Sequence, residues 1–189
     1  MNEVEGKIFE KVNFNEESLD QGSYEKCTFR HCDFSEVDLD KINFYECIFH
    51  HCNLSMVKFS NNTMNDVSFH HCKMLGVHFE HCNDVLFTAD FDTCTLNLSS
   101  FYRMKAKKTR FKGCTMHEID FTDADLSGAV FDHCDLSGSA FHDSNLEKAD
   151  FSSAFNYHID PENNRVKKAR FAINGLPGLL YKYDLVIEE

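Results

Sequence analysis

Large apolar residues recur at every fifth position along most of this chain. The clearest run of these centres is Phe121, Leu126, Phe131, Leu136, Phe141, Leu146 and Phe151. A small or apolar residue stands two places before each centre, and an acidic residue or Asn often stands just before it. A period of five matches neither the 3.6 residues of a helical turn nor the alternation of a strand. The pattern instead predicts a repeat architecture, in which stacked units share one core.

The centres fall into two registers. Fifteen centres follow one another from Phe9 to Phe79, and a second register runs from Leu86 to Phe171. Seven residues separate Phe79 from Leu86, so we predict two extra residues near 82–86. They should form a bulge or short protrusion that divides the array into two segments. This organisation predicts an N-terminal lead-in at 1–8, a repeat domain at 9–171 and a separate C-terminal segment at 172–189.

The C-terminal segment has apolar residues at helical spacing, followed by a short predicted strand at 184–187. An open solenoid end needs a cover, so this segment could be a hydrophobic lid. Its many apolar side chains are equally compatible with a dimer interface.

The nine cysteines follow the same period. Cys94, Cys114 and Cys134 are twenty residues apart, and so are Cys32, Cys52 and Cys72. All cysteines except Cys82 stand two places before a centre, where a small buried side chain is needed. Their odd number and the absence of a CxxC pair argue against a disulfide framework and a zinc cluster. We therefore predict buried reduced thiols, with no metal and no cofactor.

The sequences ADLSG at 124–128 and CDLSG at 134–138 resemble the pentapeptide-repeat consensus A(D/N)Lxx. The resemblance implies an all-β solenoid, a right-handed quadrilateral β-helix with four pentapeptides in each twenty-residue coil. The centre and the residue two before it then point inward. Residues 9–171 would form about eight coils and a rod ~40 Å long at a rise of ~4.8 Å per coil. A short C-terminal helix and tail would follow.

Composition and motifs narrow the function classes. The 31 acidic and 19 basic residues give a net charge of −12, which argues against direct binding to nucleic acid or anionic membranes. No signal peptide or membrane span is visible, so we expect a cytoplasmic protein. GxGxxG, Walker, GxSxG and HExxH motifs are absent. Because acids on a convex rod lack a cleft, we do not expect an enzyme.

Outward positions carry two further patterns. Basic clusters at 103–112 and 165–170 share the same faces three coils apart, which favours ion pairs between coils over a phosphate-binding stripe. The predicted pairs include Asp150 with Arg170 and Glu147 with Lys167. A second pattern is a ladder of histidines twenty residues apart, for which a polar stack is favoured over a metal-binding or pH-sensing function. The ladder comprises His31, His51 and His71.

Acidic residues dominate the second half of the array. Residues 113–164 contain 11 acids and one base, and several acids occupy outward positions on adjacent faces. Such rows of carboxylates could imitate part of the field of a DNA duplex. The predicted partner-binding residues are Glu118, Asp120, Asp123, Asp132, Asp135 and Asp143.

Within the pentapeptide-repeat family, the chain resembles the quinolone-resistance branch, the Qnr and McbG type. The resemblance rests on KIFEKVNFNEESLDQGSYEKCTFRHCDF at 7–34, on the two registers and on GLPGLLYKYDLVIEE at 175–189. It implies a homodimer through the tail and an acidic DNA mimic that binds DNA gyrase or topoisomerase IV. Such a protein protects the topoisomerase from quinolones or toxins.

This chain lacks the long projecting loops of many members of that branch, which weakens the expectation of protection more than that of binding. The implied dimer interface comprises Leu176, Leu179, Leu180, Tyr183 and Leu185. Because the repeat itself is generic, the alternative is a structural scaffold or adaptor for another protein partner.

Overall fold

Short parallel strands stack along a single axis, one coil above another. The computed structural model describes residues 2–188. One sheet contains β1 (Asn2–Glu5), β3 (Gly22–Glu25), β5 (Ile42–Tyr45) and β7 (Met64–Asn65). The other contains β2 (Ile8–Glu10), β4 (Thr28–Arg30), β6 (Ile48–His50), β8 (Val67–His70), β9 (Ala89–Asp92), β10 (Arg110–Lys112), β11 (Val130–Asp132), β12 (Asp150–Phe151) and β13 (Arg170–Phe171). Nine strands stacked in one sheet correspond to eight coil-to-coil steps, which confirms the predicted parallel β-solenoid.

The tube has a corner two residues after most centres. Non-glycine residues adopt the left-handed conformation there, for example His51 with φ 53° and Asp123 with φ 59°. This conformation is unfavourable for residues with a Cβ atom. It is retained because most corner N–H groups donate to a carbonyl of the next coil, as Asp123 does to His142 at 2.8 Å. The corners therefore project their side chains from a fixed backbone.

A column of nine phenylalanine rings fills one side of the tube. Successive rings stack with centroids 4.6–5.3 Å apart, close to the ~4.8 Å spacing of neighbouring strands. The column is Phe9, Phe29, Phe49, Phe69, Phe91, Phe111, Phe131, Phe151 and Phe171. Phenylalanines one coil apart in the chain therefore stack directly on one another.

The inward position two residues before a centre has a polar function as well as a small size. All nine cysteines are buried and unpaired, as predicted. The Cys114 Sγ atom lies 3.5 Å from the Phe91 carbonyl oxygen in the preceding coil. Ser139 occupies an equivalent position, and its hydroxyl donates to the Met116 carbonyl at 2.6 Å. The side chain at this position thus links two coils through a hydrogen bond, and a thiol makes the weakest version of that bond.

The register changes by two residues after Phe79. Phe69 pairs with Phe91, twenty-two residues later, whereas the other coil-to-coil pairings in that sheet span twenty. The pairing of β8 with β9 continues the larger sheet across this point. The sheet of β1, β3, β5 and β7 ends before it. Leu86, the expected first centre of the new register, is 48% exposed. Phe87 is buried in its place, so the expectation for Leu86 is wrong.

The two ends differ from the sequence-based expectation. Strand β1 begins at Asn2 and pairs with β3, so the array extends into the expected lead-in. The C-terminal segment forms 3₁₀ turns at Ile173–Gly175 and Tyr181–Tyr183 around a single short helix, α1 (Pro177–Leu180). The short helix was predicted, but the expected strand at 184–187 is absent among the described residues. No helix within 2–188 has the length and apolar character needed to cross a bilayer.

Candidate functional site

The six predicted partner-binding carboxylates lie on three consecutive faces of the tube. Asp132 belongs to β11, whereas Asp135 pairs with Thr115 on the next face. Asp120 pairs with Ser100 and Ala140 on the third face. The remaining three occupy corners that border this third face, and these corner residues are Glu118, Asp123 and Asp143. A flat partner surface can therefore contact only a subset of the six at once.

Two of the six carboxylates hold turns of the backbone. Asp120 Oδ1 accepts a hydrogen bond from the Thr122 N–H at 2.8 Å. Asp135 Oδ1 accepts bonds from Ser137, at 3.2 Å from the backbone nitrogen and 2.7 Å from the hydroxyl. Such Asx turns satisfy backbone donors at the point where the chain bends. This function was not predicted from the sequence, although the Ser or Thr two residues after each Asp was a visible signal.

Hydrogen bonding keeps Asp135 and Asp132 ionised. Burial raises the pKa of Asp135, but hydrogen bonds from Ser137, His117 and Asn156 outweigh it and lower the pKa to about 2. A hydrogen bond from His133 is the largest factor that lowers the pKa of Asp132. Both groups therefore carry their negative charge at neutral pH.

The corner carboxylates differ in their partners. Asp123 Oδ2 lies 3.1 Å from Nε of Arg103 in the preceding coil, so part of its charge is compensated. Within residues 2–188, no side-chain hydrogen bond or ion pair involves Glu118 or Asp143, and both residues are exposed. Glu118 and Asp143 are the freest of the six predicted carboxylates.

The basic clusters form ion pairs between coils. Arg170 Nη1 lies 2.8 Å from Asp150 Oδ2, as predicted. Glu147 binds Arg165 at 2.8 Å instead of the predicted Lys167. These pairs are exposed, and each contributes little to stability, ~0–1 kcal/mol. They reduce the free positive charge on the rod.

The histidine ladder is a stack of rings. The rings of His31 and His51 lie 5.1 Å apart, and those of His51 and His71 lie 4.8 Å apart, nearly parallel in both cases. His50 packs beside His51 with centroids 4.5 Å apart. Burial is the largest factor that lowers the pKa of His50, followed by the charges of His51 and His70. The surroundings of His50 therefore favour its neutral imidazole.

The C-terminal segment covers the last coil and leaves apolar groups exposed. Leu179 packs against the core, whereas Leu176, Leu180, Tyr183 and Leu185 are exposed. The segment is held by its polar groups. The Lys182 ammonium lies 2.8 Å from Asp160 and 2.7 Å from Glu162.

Two glycines allow the segment to lie close to the last coil. A Cβ atom at Gly175 or Gly178 would collide with Tyr157, so no larger residue fits at either position. The segment is therefore a lid whose outer side still presents much of the predicted dimer interface.

Comparison with known proteins identifies the repeat. A family profile described as a pentapeptide repeat region matches residues 22–88, 42–114 and 85–155. No curated protein matches the sequence.

Solved structures of QnrB1, a plasmid-mediated fluoroquinolone resistance protein, have the same fold. The full-length structure is 16% identical with a TM-score of 0.58, and the match covers 97% of this chain and 100% of that one. A trypsin-treated form is 19% identical with a TM-score of 0.53, covering 99% of this chain and 100% of that one. At such identities the likeness establishes the fold alone. Because the matched ranges span most of its length, the chain belongs to the pentapeptide-repeat family.

Proposed function

We propose that this protein is a non-enzymatic acidic rod that binds a type II topoisomerase, DNA gyrase or topoisomerase IV, at a surface that otherwise holds DNA. Such binding would modulate the topoisomerase or protect it from quinolones or toxins. The observation that carries the proposal is the ordered spacing of ionised carboxylates along a rigid solenoid. The fold shared with QnrB1, a fluoroquinolone resistance protein, supports the choice of partner.

The charge density of the rod is compatible with partial DNA mimicry. Eight coil-to-coil steps at ~4.8 Å give a length of ~40 Å. A net charge of −12 over that length is one net charge per ~3 Å, about half the density of a duplex, which carries one per ~1.7 Å. A surface that binds the DNA backbone through lysine and arginine would therefore attract this rod, although less strongly than DNA.

We assign the partner contacts to the corner carboxylates first. Glu118, Asp123 and Asp143 project from fixed corners on both sides of one face, whereas Asp120 and Asp135 also maintain turns. Removing the corner charges should weaken binding without altering the fold. The same substitution at Asp120 or Asp135 would alter both the surface charge and the backbone turn, so its effect on binding could not be separated from its effect on the fold.

A supercoiling assay tests the proposal. Gyrase, plasmid DNA and a fluoroquinolone are mixed with increasing amounts of the protein, and the drug concentration that halves supercoiling is measured. We expect the protein to raise this concentration, or to inhibit supercoiling directly as a competitor of DNA. The triple variant Glu118→Gln/Asp123→Asn/Asp143→Asn should lose most of either effect.

A matched control removes the same charge from the opposite end of the rod. Glu3→Gln/Glu10→Gln/Glu17→Gln alters three exposed residues of the first coil and should change the assay much less. Binding measured directly should weaken with added salt, because exposed charge interactions are screened beyond ~8–10 Å. Supercoiling and its drug inhibition that stay unchanged across the whole series would contradict the proposal.

We further propose a homodimer through the outer side of the lid. Leu180, Tyr183 and Leu185 remain 38%, 51% and 56% exposed, and contiguous apolar groups of this kind mark association surfaces. Leu180→Asp/Leu185→Asp should convert the dimer to a monomer in sedimentation equilibrium. Leu98→Asp is the control, because Leu98 is 61% exposed on a corner of the rod away from the lid. A wild-type monomer at high micromolar concentration would refute the interface.

The alternative is a scaffold or adaptor for a different protein. Affinity purification from cell extract followed by quantification separates the two functions. Stoichiometric recovery of a partner other than a topoisomerase, with no effect in the supercoiling assay, would favour the adaptor.

A further inference from the structure

Three metal-binding side chains converge beside the register change. The donor atoms of His78, Glu80 and His81 all lie within 4.8 Å of one another. Nδ1 of His78 is 2.8 Å from Oε1 of Glu80, and the rings of His78 and His81 lie 5.9 Å apart at an angle of 20°. We propose that these three residues bind a divalent transition-metal ion, with Zn²⁺ as its test ligand.

The local backbone explains why the side chains meet. Residues Phe79–His81 form a 3₁₀ turn, the one such turn within the stacked coils of the described chain. Side chains three residues apart eclipse in this geometry, which places the rings of His78 and His81 on the same side. Phe79 lies between them, fully buried and stacked on Phe101 at 4.4 Å. The buried ring anchors the turn, so the donors are held in place by the core.

Glu80 supplies the second, independent observation. Its Oε2 atom is buried and has no hydrogen-bond partner, and only 18% of the side chain is exposed. A buried carboxylate oxygen without a partner is costly, because it loses water and gains nothing in return. Oε1 already contacts His78, so the carboxylate is placed against an imidazole while its second oxygen has no partner. A bound cation would compensate this charge.

The donor set matches a specific class of ion. Two imidazoles and one carboxylate suit Zn²⁺ and its neighbours, which bind these ligands at ~2.0–2.2 Å. Tetrahedral coordination at that distance separates donors by ~3.3 Å, which small side-chain rotations can reach from the present spacing. Three protein ligands leave one position for water. Both histidines are exposed, so an ion can enter from solvent without opening the core.

Charged neighbours leave room for the ion. Arg103 occupies the corresponding corner one coil above His81, but its guanidinium is turned to Asp123. Asp84, just beyond the turn, is engaged by Lys105 at 2.8 Å. The site is separate from the stacked histidine ladder, which belongs to a different corner. It does not depend on the proposed topoisomerase function.

Isothermal titration calorimetry of the full-length, metal-free protein with Zn²⁺ tests the site. We expect one equivalent to bind, and we expect His78→Ala and His81→Ala each to weaken binding by at least the ~10–100-fold that loss of an outer-shell partner costs. Glu80→Gln removes the charge at nearly constant size and should weaken binding similarly. His50→Ala/His70→Ala is the matched control, because it alters two half-exposed histidines that lie beside the ladder. Circular dichroism verifies that each variant is folded.

A spectroscopic measurement distinguishes the ligands. Co²⁺ bound at the site should show d–d absorption without a thiolate charge-transfer band, since no cysteine belongs to the donor set. Loss of Zn²⁺ binding in His50→Ala/His70→Ala but not in His78→Ala would overturn the proposal. A thiolate band, or no heat with the wild-type protein, would overturn it as well.

Discussion

Phe111 offers a direct test of the packing that holds the tube together. It is fully buried, and its ring lies 5.1 Å from that of Phe91 below and 5.1 Å from that of Phe131 above. Phe101 meets it edge-on at 5.8 Å. Because each coil contacts only its neighbours, a defect at this ring weakens two coil interfaces at once.

Two substitutions separate burial from stacking. Phe111→Ala removes both and should lower the free energy of unfolding by about 3–5 kcal/mol. Phe111→Leu keeps most of the apolar volume but loses two stacked contacts, which are worth about 0.5–1.5 kcal/mol each, so its cost should be about 1–3 kcal/mol. Phe155→Ala is the control, since Phe155 is 47% exposed and such surface changes cost within about 0.5 kcal/mol.

Urea unfolding followed by far-ultraviolet circular dichroism measures these values. If the array unfolds cooperatively, the urea concentration at the midpoint should fall while the dependence of the unfolding free energy on urea stays constant. A change in that dependence would indicate that the two halves unfold separately. If Phe111→Ala cost no more than Phe155→Ala, the stacked column would not be the stabilising core. Equal costs for Phe111→Leu and Phe111→Ala would refute the contribution assigned to the stacked rings.

Three further results are expected. Ser139→Ala leaves the buried Met116 carbonyl without its donor and should cost about 1–3 kcal/mol in urea unfolding, whereas the exposed Ser152→Ala should be nearly neutral. All nine thiols are buried, and burial raises the pKa of Cys47 to about 12. Ellman's reagent at pH 8 should therefore leave the folded thiols unmodified, because it cannot reach them, and should titrate all nine in guanidinium; rapid reaction of the folded protein would contradict this. The lowered pKa of Asp135, about 2 against ~3.9 when unfolded, gives stability that is present above pH ~4 and lost towards pH 2. Asp135→Asn should flatten that acid limb, and an unchanged pH profile of the melting temperature would disprove the linkage.

The period of five was sufficient to predict which side chains are buried, because it fixes which residues occupy the same position in successive coils. Phe111 and Phe131 are twenty residues apart, and one coil is the only unit that can superimpose them at strand spacing. The pattern could not choose between Leu86 and Phe87. Both are apolar, and the path of the inserted turn decides which one returns to the interior. That path depends on backbone geometry, which the spacing of centres does not specify.

The candidate site was predicted less well for a related reason. Outward position alone makes Asp120 and Asp135 look available to a partner, as Glu118 and Asp143 do. The structure divides them, because a carboxylate just before a centre can accept the N–H two residues later and become part of the turn. A charge count treats all four alike, and only the local hydrogen bonds distinguish the structural carboxylates from the free ones.

The same distinction between structural and free side chains applies to every position of the repeat. It shows which positions can change without disturbing the fold. The two inward positions form the core, and an Asp or Asn before the centre supports the turn. A corner requires a particular backbone conformation but no particular side chain. Residues of different chemistry therefore occupy corners with nearly the same φ, namely His51, Leu98, Glu118 and Lys148. Substitutions at corners therefore change the surface while preserving the coil, and partner selection should depend on them more than on the consensus positions. The proposed topoisomerase contacts at Glu118 and Asp143 follow this rule.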